Sequence, residues 1–331
     1  MVPAGIARSE RLAVLCGPTA VGKTALAVAL ARRLDAEIVC ADSRTVYRGL
    51  DIGTAKPDVS QRAQVPHHLL DVVDPAESFT VADFQRLTRE AIDGIRSRGH
   101  VPLLAGGTGL YIRAVVDDLA IPHVAPDGRL RAALEVEART RGPASLHGRL
   151  AQVDPVAAGR IHPHNVRRVI RALEVATVTG RPISALQHRG APPAAVAMVG
   201  VTMERSGLYR RIDQRVEEQL AAGLVHETRA LLARGVPASA PAMQSLGYKE
   251  IGGWLRGEYG YAEAVRRLKR NTRRYAKRQL TWFGRDPRIH WLDASGLDAA
   301  APNAAGLDAQ ETLAARAHAM MEAEFSFHGR N

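Results

Sequence analysis

Short apolar runs recur along this chain, and the segments between them repeat their apolar residues with helical spacing. Strand-length runs lie at Leu12–Cys16, Glu37–Ala41, Val101–Ala105, Ala195–Met203 and Ile289–Leu292, with a weaker candidate at His68–Val72. The segments Ala25–Leu34 and Val81–Arg98 place apolar residues every three or four positions, which predicts amphipathic helices. Strands that alternate with helices favour an α/β fold with a doubly wound, largely parallel sheet.

The alternation stops between about residues 122 and 190, where the sequence predicts helices but no strand. The helical stretches are Asp127–Arg141, Ala144–Gln152, Pro155–Ile161 and Asn165–Thr179. Because a strand-like run follows, we interpret this region as a small all-helical insertion domain. The predicted domains are 1–121 for the first part of the core, 122–190 for the insertion, 191–295 for the second part of the core, and 296–331 for a linker and a last helix.

The final third of the chain is predicted to be mostly helical. Helical spacing extends over two long stretches, Ser206–Arg234 and Tyr261–Phe283. The segment Ala294–Asp308 consists largely of Ala, Gly and Asp, and it predicts a linker before a final amphipathic helix.

A glycine-bounded loop lies between the first predicted strand and the first predicted helix. Its eight residues, which we predict to bind a diphosphate or triphosphate, are Gly17, Pro18, Thr19, Ala20, Val21, Gly22, Lys23 and Thr24. Strand, loop and helix in this order are the context of a P-loop, whose backbone N–H groups surround phosphate oxygens. Lys23 adds a positive charge, and Thr24 is placed to coordinate Mg²⁺. The core is therefore predicted to be P-loop NTPase-like.

The charge balance predicts a polyanionic partner. Lysine and arginine number 45 against 34 acidic residues, which gives a formal net charge of +11 at pH 7. Such an excess favours nucleic acid. Cys16 and Cys40, the only cysteines, end apolar runs, so we expect buried thiols rather than a zinc site. No apolar stretch is long enough to cross a bilayer, so we expect a cytoplasmic protein with no membrane partner.

Two polar residues follow strands at the predicted carboxyl edge of the sheet, where doubly wound folds bind ligands. They are Asp42 and Thr108, and helix capping is the alternative role for each. The strand before Thr108 ends in glycines instead of a Walker B carboxylate, which counts against a motor ATPase or GTPase. We expect these glycines to let a substrate approach the backbone closely.

Basic residues cluster on two predicted helices. Arg211 and Arg215 lie one turn apart and suit phosphate oxygens, although an exposed basic face is the alternative. From Ala264 to Arg285 no acidic residue occurs, and positions 266, 270, 273 and 277 share one helical stripe. Without a carboxylate this charge run would repel itself, so we infer a polyanionic partner. The helix Tyr261–Phe283 leads into the last predicted strand, so we expect it to lie beside the P-loop crevice.

Several motifs together resemble one enzyme family. They are the loop at 17–24, Asp42-Ser43, the segment 47–57 with its Asp-Ile-Gly-Thr-Ala-Lys-Pro end, and the segments 66–71, 106–111 and 277–282. In these residues, from about Leu12 to Leu292, the chain is similar to bacterial tRNA dimethylallyltransferases, also called tRNA isopentenyltransferases. The resemblance implies transfer of the dimethylallyl group from dimethylallyl diphosphate to N6 of the adenosine just 3′ of the anticodon, in tRNAs that read codons beginning with U.

The resemblance also implies roles for the candidate residues. The P-loop would hold the diphosphate leaving group, and Asp42 would accept a proton from the attacking amine or orient it. Thr24 with Mg²⁺, together with Lys23, Thr19 and Arg215, would neutralise charge on the departing diphosphate. Thr108 would lie beside the adenine or the leaving group. The adenosine would flip out of the anticodon stem-loop to reach the crevice.

A larger set of positions would contact tRNA by the same resemblance. These are Asp42, Ser43, Arg44, Thr45, Thr108, Arg131, Arg167, Arg168, Arg171, Gln244, Ser245, Gly247, Tyr248, Lys249, Arg273, Lys277, Arg278, Gln279, Thr281 and Trp282. Thr45 departs from the family pattern, since many members have Gln there. We expect a monomer, because much of the surface is committed to RNA.

Two other functions fit part of the pattern. A P-loop small-molecule or nucleoside kinase shares the fold class, but it offers no role for the basic helix. An RNA-binding protein with a nucleotide switch would explain the charge, but it leaves Asp42 and Thr108 without a function.

Overall fold

One parallel sheet organises the larger of two units in this protein. The structure is a computed structural model that describes residues 7–188, 190, 193, 195–295 and 304–328. Its strands are β1 (Arg11–Cys16), β2 (Ala36–Ala41), β3 (His67–His68), β4 (Val101–Gly106), β5 (Ala195–Thr202) and β6 (Ile289–Asp293). Their order across the sheet is β3-β2-β4-β1-β5-β6, and each neighbouring pair is parallel. This P-loop-like arrangement agrees with the predicted doubly wound fold.

Helices make up most of the rest of the described chain. They are α1 (Lys23–Leu34), α2 (Val59–Gln64), α3 (Val81–Ser97), α4 (Gly109–Val116), α5 (Gly128–Thr140), α6 (Pro143–Val153), α7 (Pro155–Arg160), α8 (Val166–Thr179), α9 (Ile183–Leu186), α10 (Arg205–Ala221), α11 (Leu224–Ala233), α12 (Tyr248–Leu255), α13 (Tyr261–Phe283) and α14 (Ala304–His328), with short 3₁₀ helices at Arg8–Glu10 and Ala242–Gln244. None of them, within the residues described, combines the length and apolarity needed to cross a bilayer.

Side chains alternate between the two faces of the sheet, and helices cover both faces. On β1, Ala13 and Leu15 pack with residues of α1 and α14. Leu12 and Val14 face the other way and pack with residues of α3 and α4. Because both faces are covered, the strands have continuous apolar runs instead of an alternating pattern.

The carboxyl ends of three strands lie level at one edge of the sheet. Cys16 at the end of β1 pairs with Gly106 at the end of β4, and Gly106 also pairs with Ala41 at the end of β2. The three segments that follow these strands therefore begin side by side. They are the P-loop, the turn at Asp42 and the turn at Thr108.

The five main predicted strands are confirmed to within two residues. The weaker candidate, His68–Val72, was wrong in extent, since Leu69 (φ 63°) and Asp71 (φ 55°) adopt left-handed conformations that end β3 after His68. The single long helix predicted at Ser206–Arg234 is also wrong. It is divided into α10 and α11 at Gly223, whose φ of 103° is incompatible with a continuous helix.

The helices α2, α4, α9 and α12 were not predicted, because each has at most eight residues and so a weak periodic signal. The predicted linker Ala294–Asp308 lies partly outside the described residues, and α14 begins within it at Ala304.

The second unit spans Asp117–Pro192, and the predicted insertion at 122–190 lies inside it. Its described residues form α5 to α9 and no strand. An apolar cluster that includes Leu134, Leu146, Leu150 and Leu173 joins these helices.

A buried carboxylate holds part of the second unit together. Glu174 is fully buried on α8, and it accepts hydrogen bonds from the Arg131 guanidinium at 2.7 and 2.8 Å and from the Asp127 N–H at 2.8 Å. Arg171 donates to the same carboxylate at 2.7 Å and to the Val124 carbonyl at 3.0 Å. Burial opposes ionisation, but these hydrogen bonds lower the pKa of Glu174 to about 2.

We predict that Glu174→Gln destabilises this unit, because it leaves two arginines without their buried counter-charge, at a cost of about 3 kcal/mol. Hydrogen exchange should accelerate in α5 and α8 but not in α1. The exposed Glu135 on the same unit provides the control, Glu135→Gln. In the native protein the contribution of Glu174 should be lost as the pH falls from its ordinary pKa of 4.5 toward 2. Unchanged exchange in Glu174→Gln would contradict this role.

Candidate active site

A cleft of about 340 Å³ opens at the carboxyl edge of the sheet. Its polar lining comes from the P-loop, the turn after β2, α10 and α13, and includes Thr19, Lys23, Thr24, Asp42, Thr45, Arg211, Arg215 and Gln279. Small apolar side chains, among them Ala27, Ile38, Ala55 and Ala105, line another part of the wall. The cleft therefore combines groups that suit an anion with a surface that suits a short hydrocarbon.

The P-loop places a lysine and a helix N-terminus at this cleft. Helix α1 begins at Lys23, directly after Gly22, so its partial positive charge lies at the loop. The Lys23 ammonium donates to the Pro18 carbonyl at 2.6 Å. Burial and then the nearby charge of Arg215 lower the pKa of Lys23 to about 8, against the opposing effect of Asp42.

Arg215 lies on α10 and lines the same cleft. Burial lowers its pKa below the ordinary value, and the charges of Asp42 and Glu218 oppose the shift. Within the described part of the chain, its guanidinium makes no hydrogen bond. Its donors are thus available to an anion, and its role in binding diphosphate stays a prediction.

The turn at Asp42 is joined to the turn at Thr108. The Asp42 carboxylate accepts from the Arg44 N–H at 2.8 Å, and the Thr108 hydroxyl accepts from the Ser43 N–H at 3.1 Å. The Thr108 N–H donates to the Ala41 carbonyl at 3.1 Å. Thr108 also occupies the N-cap position of α4, since its carbonyl accepts from the Ile112 N–H at 3.2 Å, but its hydroxyl is bonded to the Asp42 turn and not to the helix. Asp42 does not precede a helix, so the capping alternative describes the position of Thr108 and not that of Asp42.

Side chains of α13 occupy the space beside the glycines that follow β4. A Cβ atom at Gly107 would lie 2.2 Å from the Gln279 amide nitrogen, and one at Gly109 would lie 2.1 Å from the Trp282 ring. Side chains of α13 thus occupy the space beside these two glycines, while Gly106 and Gly107 line the cleft, so close approach of a substrate to this backbone stays a prediction. The prediction that α13 lies beside the crevice is confirmed by these contacts.

Gln279 connects two loops of the cleft. It is buried, its carbonyl oxygen accepts from the Thr19 N–H at 2.8 Å, and its amide nitrogen donates to the Gly107 carbonyl at 2.9 Å. Both ends of the amide are thus bonded within the protein. Its contact with tRNA stays a prediction, whereas its contact with the P-loop is a feature of the structure.

The Asp51–Pro57 loop forms another wall, with Thr54, Ala55 and Pro57 lining the cleft. The Glu227 carboxylate accepts from the N–H groups of Asp51, Ile52 and Gly53 at 3.0 to 3.3 Å. These bonds fix the start of the loop.

A buried lysine fixes the end of the same loop. The Lys56 ammonium donates to the Tyr47 carbonyl at 2.6 Å and to the carboxylates of Asp51 and Asp71. Its side chain is 1% exposed. The motif that identified the family therefore shapes the wall of the cleft through this ion cluster.

Several residues predicted to bind tRNA differ in exposure. Tyr248 is fully buried, where its hydroxyl donates to Glu227 and accepts from the Gly53 N–H at 3.1 Å. Thr45, Ser245 and Gly247 are also buried, while Gln244, Lys249, Lys277, Arg278 and Thr281 are exposed. Arg44 donates to the Pro241 carbonyl at 2.6 Å, and Trp282 is half-buried against Gly109.

The arginines of the second unit also differ in exposure and ion pairing. Arg131 and Arg171 are bonded to Glu174, whereas Arg167 and Arg168 are exposed and form no ion pair with described residues. All four remain predictions as tRNA contacts.

Neighbouring carboxylates balance part of the charge on α13. Arg273 pairs with Asp213 and Lys269 pairs with Glu217, both on α10, and Glu263 pairs with Arg266 and Arg267. The inference that the basic run has no balancing carboxylate was therefore wrong for these positions. A sequence window on one helix does not contain the acids of the helix packed against it.

Sequence reasoning missed two residues of the site region, Glu227 and Tyr275. It also missed that Lys56 is buried. Burial raises the pKa of Tyr275, and the side chain of Thr108 opposes this shift. One aromatic ring in a basic run gives no local signal of the helix face it occupies. Glu227 has no motif around it.

Comparison with known proteins gives a consistent result. A family model described as IPP transferase matches residues 45–286, and one described as isopentenyl transferase matches residues 10–71. The tRNA dimethylallyltransferase of Thermomicrobium roseum is 51% identical over 288 residues, which cover 87% of this chain and 88% of the relative. That of Desulforudis audaxviator is 55% identical over 284 residues, covering 85% and 91%.

Similar solved structures are transferases of the same kind. The full-length tRNA isopentenylpyrophosphate transferase of Bacillus halodurans has a TM-score of 0.67 and 42% identity, covering 95% of this chain and 99% of that chain. A eukaryotic dimethylallyltransferase acting on tRNA has a TM-score of 0.73 and 27% identity, covering 90% and 77%.

Because the pKa of Lys23 is lowered to about 8, we predict that affinity for a diphosphate monoester falls as the pH rises above that value. Deprotonation removes the charge, so the decline should reach at most about tenfold per pH unit. Calorimetric titration at a series of pH values measures it. Lys23→Met should bind weakly at every pH, without this dependence. The same pH slope in both proteins would contradict the assignment.

Proposed function

The chain belongs to the IPP transferase family, and from this we propose that it transfers a dimethylallyl group from dimethylallyl diphosphate to a tRNA. The acceptor is N6 of the adenosine 3′-adjacent to the anticodon, in tRNAs that read codons beginning with U. Diphosphate is the product released. The family-wide likeness and the geometry of the cleft both support this proposal.

One observation carries most of the weight. A P-loop with Lys23 and Arg215 shares its cleft with a single strand-end carboxylate, Asp42, and with small apolar side chains. A phosphate-binding end beside an apolar wall matches an allylic diphosphate better than it matches a nucleoside triphosphate. At the end of β4, glycines and Thr108 stand where a Walker B strand has its carboxylate.

The reaction is a substitution at the allylic carbon. The N6 amine attacks C1 of the dimethylallyl group, the bond from C1 to the diphosphate oxygen breaks, and the amine loses a proton. Asp42 lies at the cleft to orient the amine and accept that proton. An adenine amine is a weak nucleophile, so alignment contributes as much as basicity.

Positive groups stabilise the leaving diphosphate. Lys23, which is bonded to the P-loop, and the N-terminus of α1 are in place before the reaction, so they need little reorganisation as charge develops, and Arg215 adds a further positive charge at the same cleft. Thr19 and Thr108 hold the loops on either side. Rigid donors of this kind stabilise the transition state more than they stabilise the substrate.

We propose Mg²⁺ as the cofactor. The side chain of Thr24 lines the cleft, and its hydroxyl oxygen is the kind of ligand that Mg²⁺ prefers. The described residues contain no cluster of three or more His, Cys, Asp or Glu side chains suited to a metal, so diphosphate oxygens would complete the coordination. When bound, the ion supplies charge neutralisation at the leaving group.

The anticodon stem-loop is the proposed RNA partner. An exposed basic surface is formed by Arg270, Arg274, Lys277, Arg278 and Arg285, which have no ion pair with described residues. We name this surface the basic face of α13. The exposed Arg167 and Arg168 of the second unit suit phosphate contacts as well. A monomeric state and a cytoplasmic location complete the proposal.

The function is tested by one incubation. Purified protein with Mg²⁺, labelled dimethylallyl diphosphate and unmodified tRNA should place label in the tRNA without ATP. Asp42→Asn is the matched control, since it keeps the size of the side chain and removes its basicity, so it should bind tRNA and transfer little label. Consumption of ATP with no labelled tRNA would favour the kinase alternative.

Binding of tRNA should depend on the basic face of α13. Lys277→Gln removes one exposed, unpaired charge, so tRNA affinity should fall and the slope of log affinity against log salt should decrease by about 1. Arg32→Gln, an exposed arginine on α1, is the control and should leave the slope unchanged. A normal slope in Lys277→Gln would place the RNA elsewhere.

A further inference from the structure

Helix α13 presents different chemistry on two faces. Its outward side carries the basic face, whose arginines and lysine are exposed. Its inward side carries Tyr275, Gln279 and Trp282, which are spaced by four and three residues and therefore share one stripe. The outward stripe suits a polyanion, and the inward stripe contacts the walls of the cleft.

The inward stripe is bonded to two loops of the cleft through Gln279. The carbonyl oxygen of Gln279 accepts from the Thr19 N–H of the P-loop at 2.8 Å, and its amide nitrogen donates to the Gly107 carbonyl at 2.9 Å. Gly107 precedes Thr108, whose hydroxyl accepts from the Ser43 N–H beside Asp42 at 3.1 Å. One helix is thus bonded to the loop for the diphosphate and to the turn after β4, which is itself bonded to the turn that carries the proposed base.

These contacts restrict the movement of α13 relative to the P-loop and the turn after β4. Gln279 and Trp282 fill the space above Gly107 and Gly109, where even a methyl group would collide with them. Gln279 is 5% exposed, so breaking its two hydrogen bonds would leave buried polar groups without partners. A displacement of α13 must therefore carry the P-loop and the Thr108 turn with it, or lose these bonds.

The helix also extends through both regions as one element. It runs without interruption from Tyr261 to Phe283, and 23 helical residues span about 35 Å. Lys277 and Arg278 on the outward side flank the turn that carries Gln279. Phosphates bound there would fix the position of the same helical turn that holds the P-loop.

We propose that Gln279 is a positioning residue through which tRNA on the basic face of α13 aligns the P-loop and the Asp42 turn. The inference rests on the proposed function, and it adds that the diphosphate site and the tRNA site are coupled through this helix. The Gln279 side chain does not need to touch the reacting atoms.

The test measures the binding of pyrophosphate with and without an anticodon stem-loop. In the native protein we expect the RNA to tighten pyrophosphate binding by about fivefold or more. Gln279→Met keeps the length of the side chain but removes both hydrogen bonds, so this ratio should fall to about one. Calorimetry yields both dissociation constants without relying on turnover.

The chain offers a matched control on another helix. Gln310 of α14 donates to the Ala25 carbonyl in the first turn of α1 at 2.9 Å. Gln310→Met removes a glutamine bond near the P-loop from a helix that does not carry the basic face. Its ratio should equal that of the native protein. A general loosening of the P-loop would lower the ratio in both variants and would overturn the proposal.

The result is decisive even if Gln279→Met fails to fold. Gln279→Asn then serves as the second variant. It keeps the amide but is too short to bond both loops, so it should lower kcat for dimethylallyl transfer while the KM for tRNA stays unchanged. An unchanged kcat overturns the proposal, as does a native ratio of one or a native ratio in folded Gln279→Met. The proposed function survives these outcomes, since it fails only if the native protein does not transfer the dimethylallyl group to tRNA.

Discussion

The parallel register of β1, β2 and β4 is the constraint on which the site depends. Cys16, Ala41 and Gly106 end these strands at the same level, so the segments after them begin at one edge of the sheet. Buried apolar side chains on both faces fix this register, because a slip by one residue would move every side chain of a strand to the opposite face of the sheet. The hydrophobic core therefore determines where the phosphate loop meets the carboxylate.

A second layer of polar contacts gives these segments their shape. Gln279 links the P-loop to the turn after β4, and Glu227 holds three successive N–H groups of the Asp51–Pro57 loop. Such groups stabilise backbone that is neither helix nor strand, and each would be costly to leave unpaired when buried. Loops held in this way keep their charged groups in place before the substrate binds. Charges that are already in place stabilise the charge that develops in the transition state without having to reorganise.

The sequence predicts what local patterns encode. The strands, the P-loop and Asp42 each have a short signal, and the structure brings the last two to one cleft. Contacts between distant segments have no such signal, since Gln279 lies 260 residues from Thr19. The charge balance of α13 also has no local signal, because the carboxylate that pairs with Arg273 belongs to Asp213 on α10. Where backbone strain or a short helix decides the outcome, as at Leu69, periodicity also fails.

The proposed reaction requires the P-loop of this protein to hold a diphosphate leaving group. A crystal structure of the protein with pyrophosphate and MgCl₂ would show whether it does. We expect both phosphates in the loop at 17–24, within hydrogen-bond distance of the Lys23 ammonium and the Arg215 guanidinium, which line one cleft. Pyrophosphate bound outside this cleft, with the loop unchanged, would show that the P-loop does not hold the leaving group.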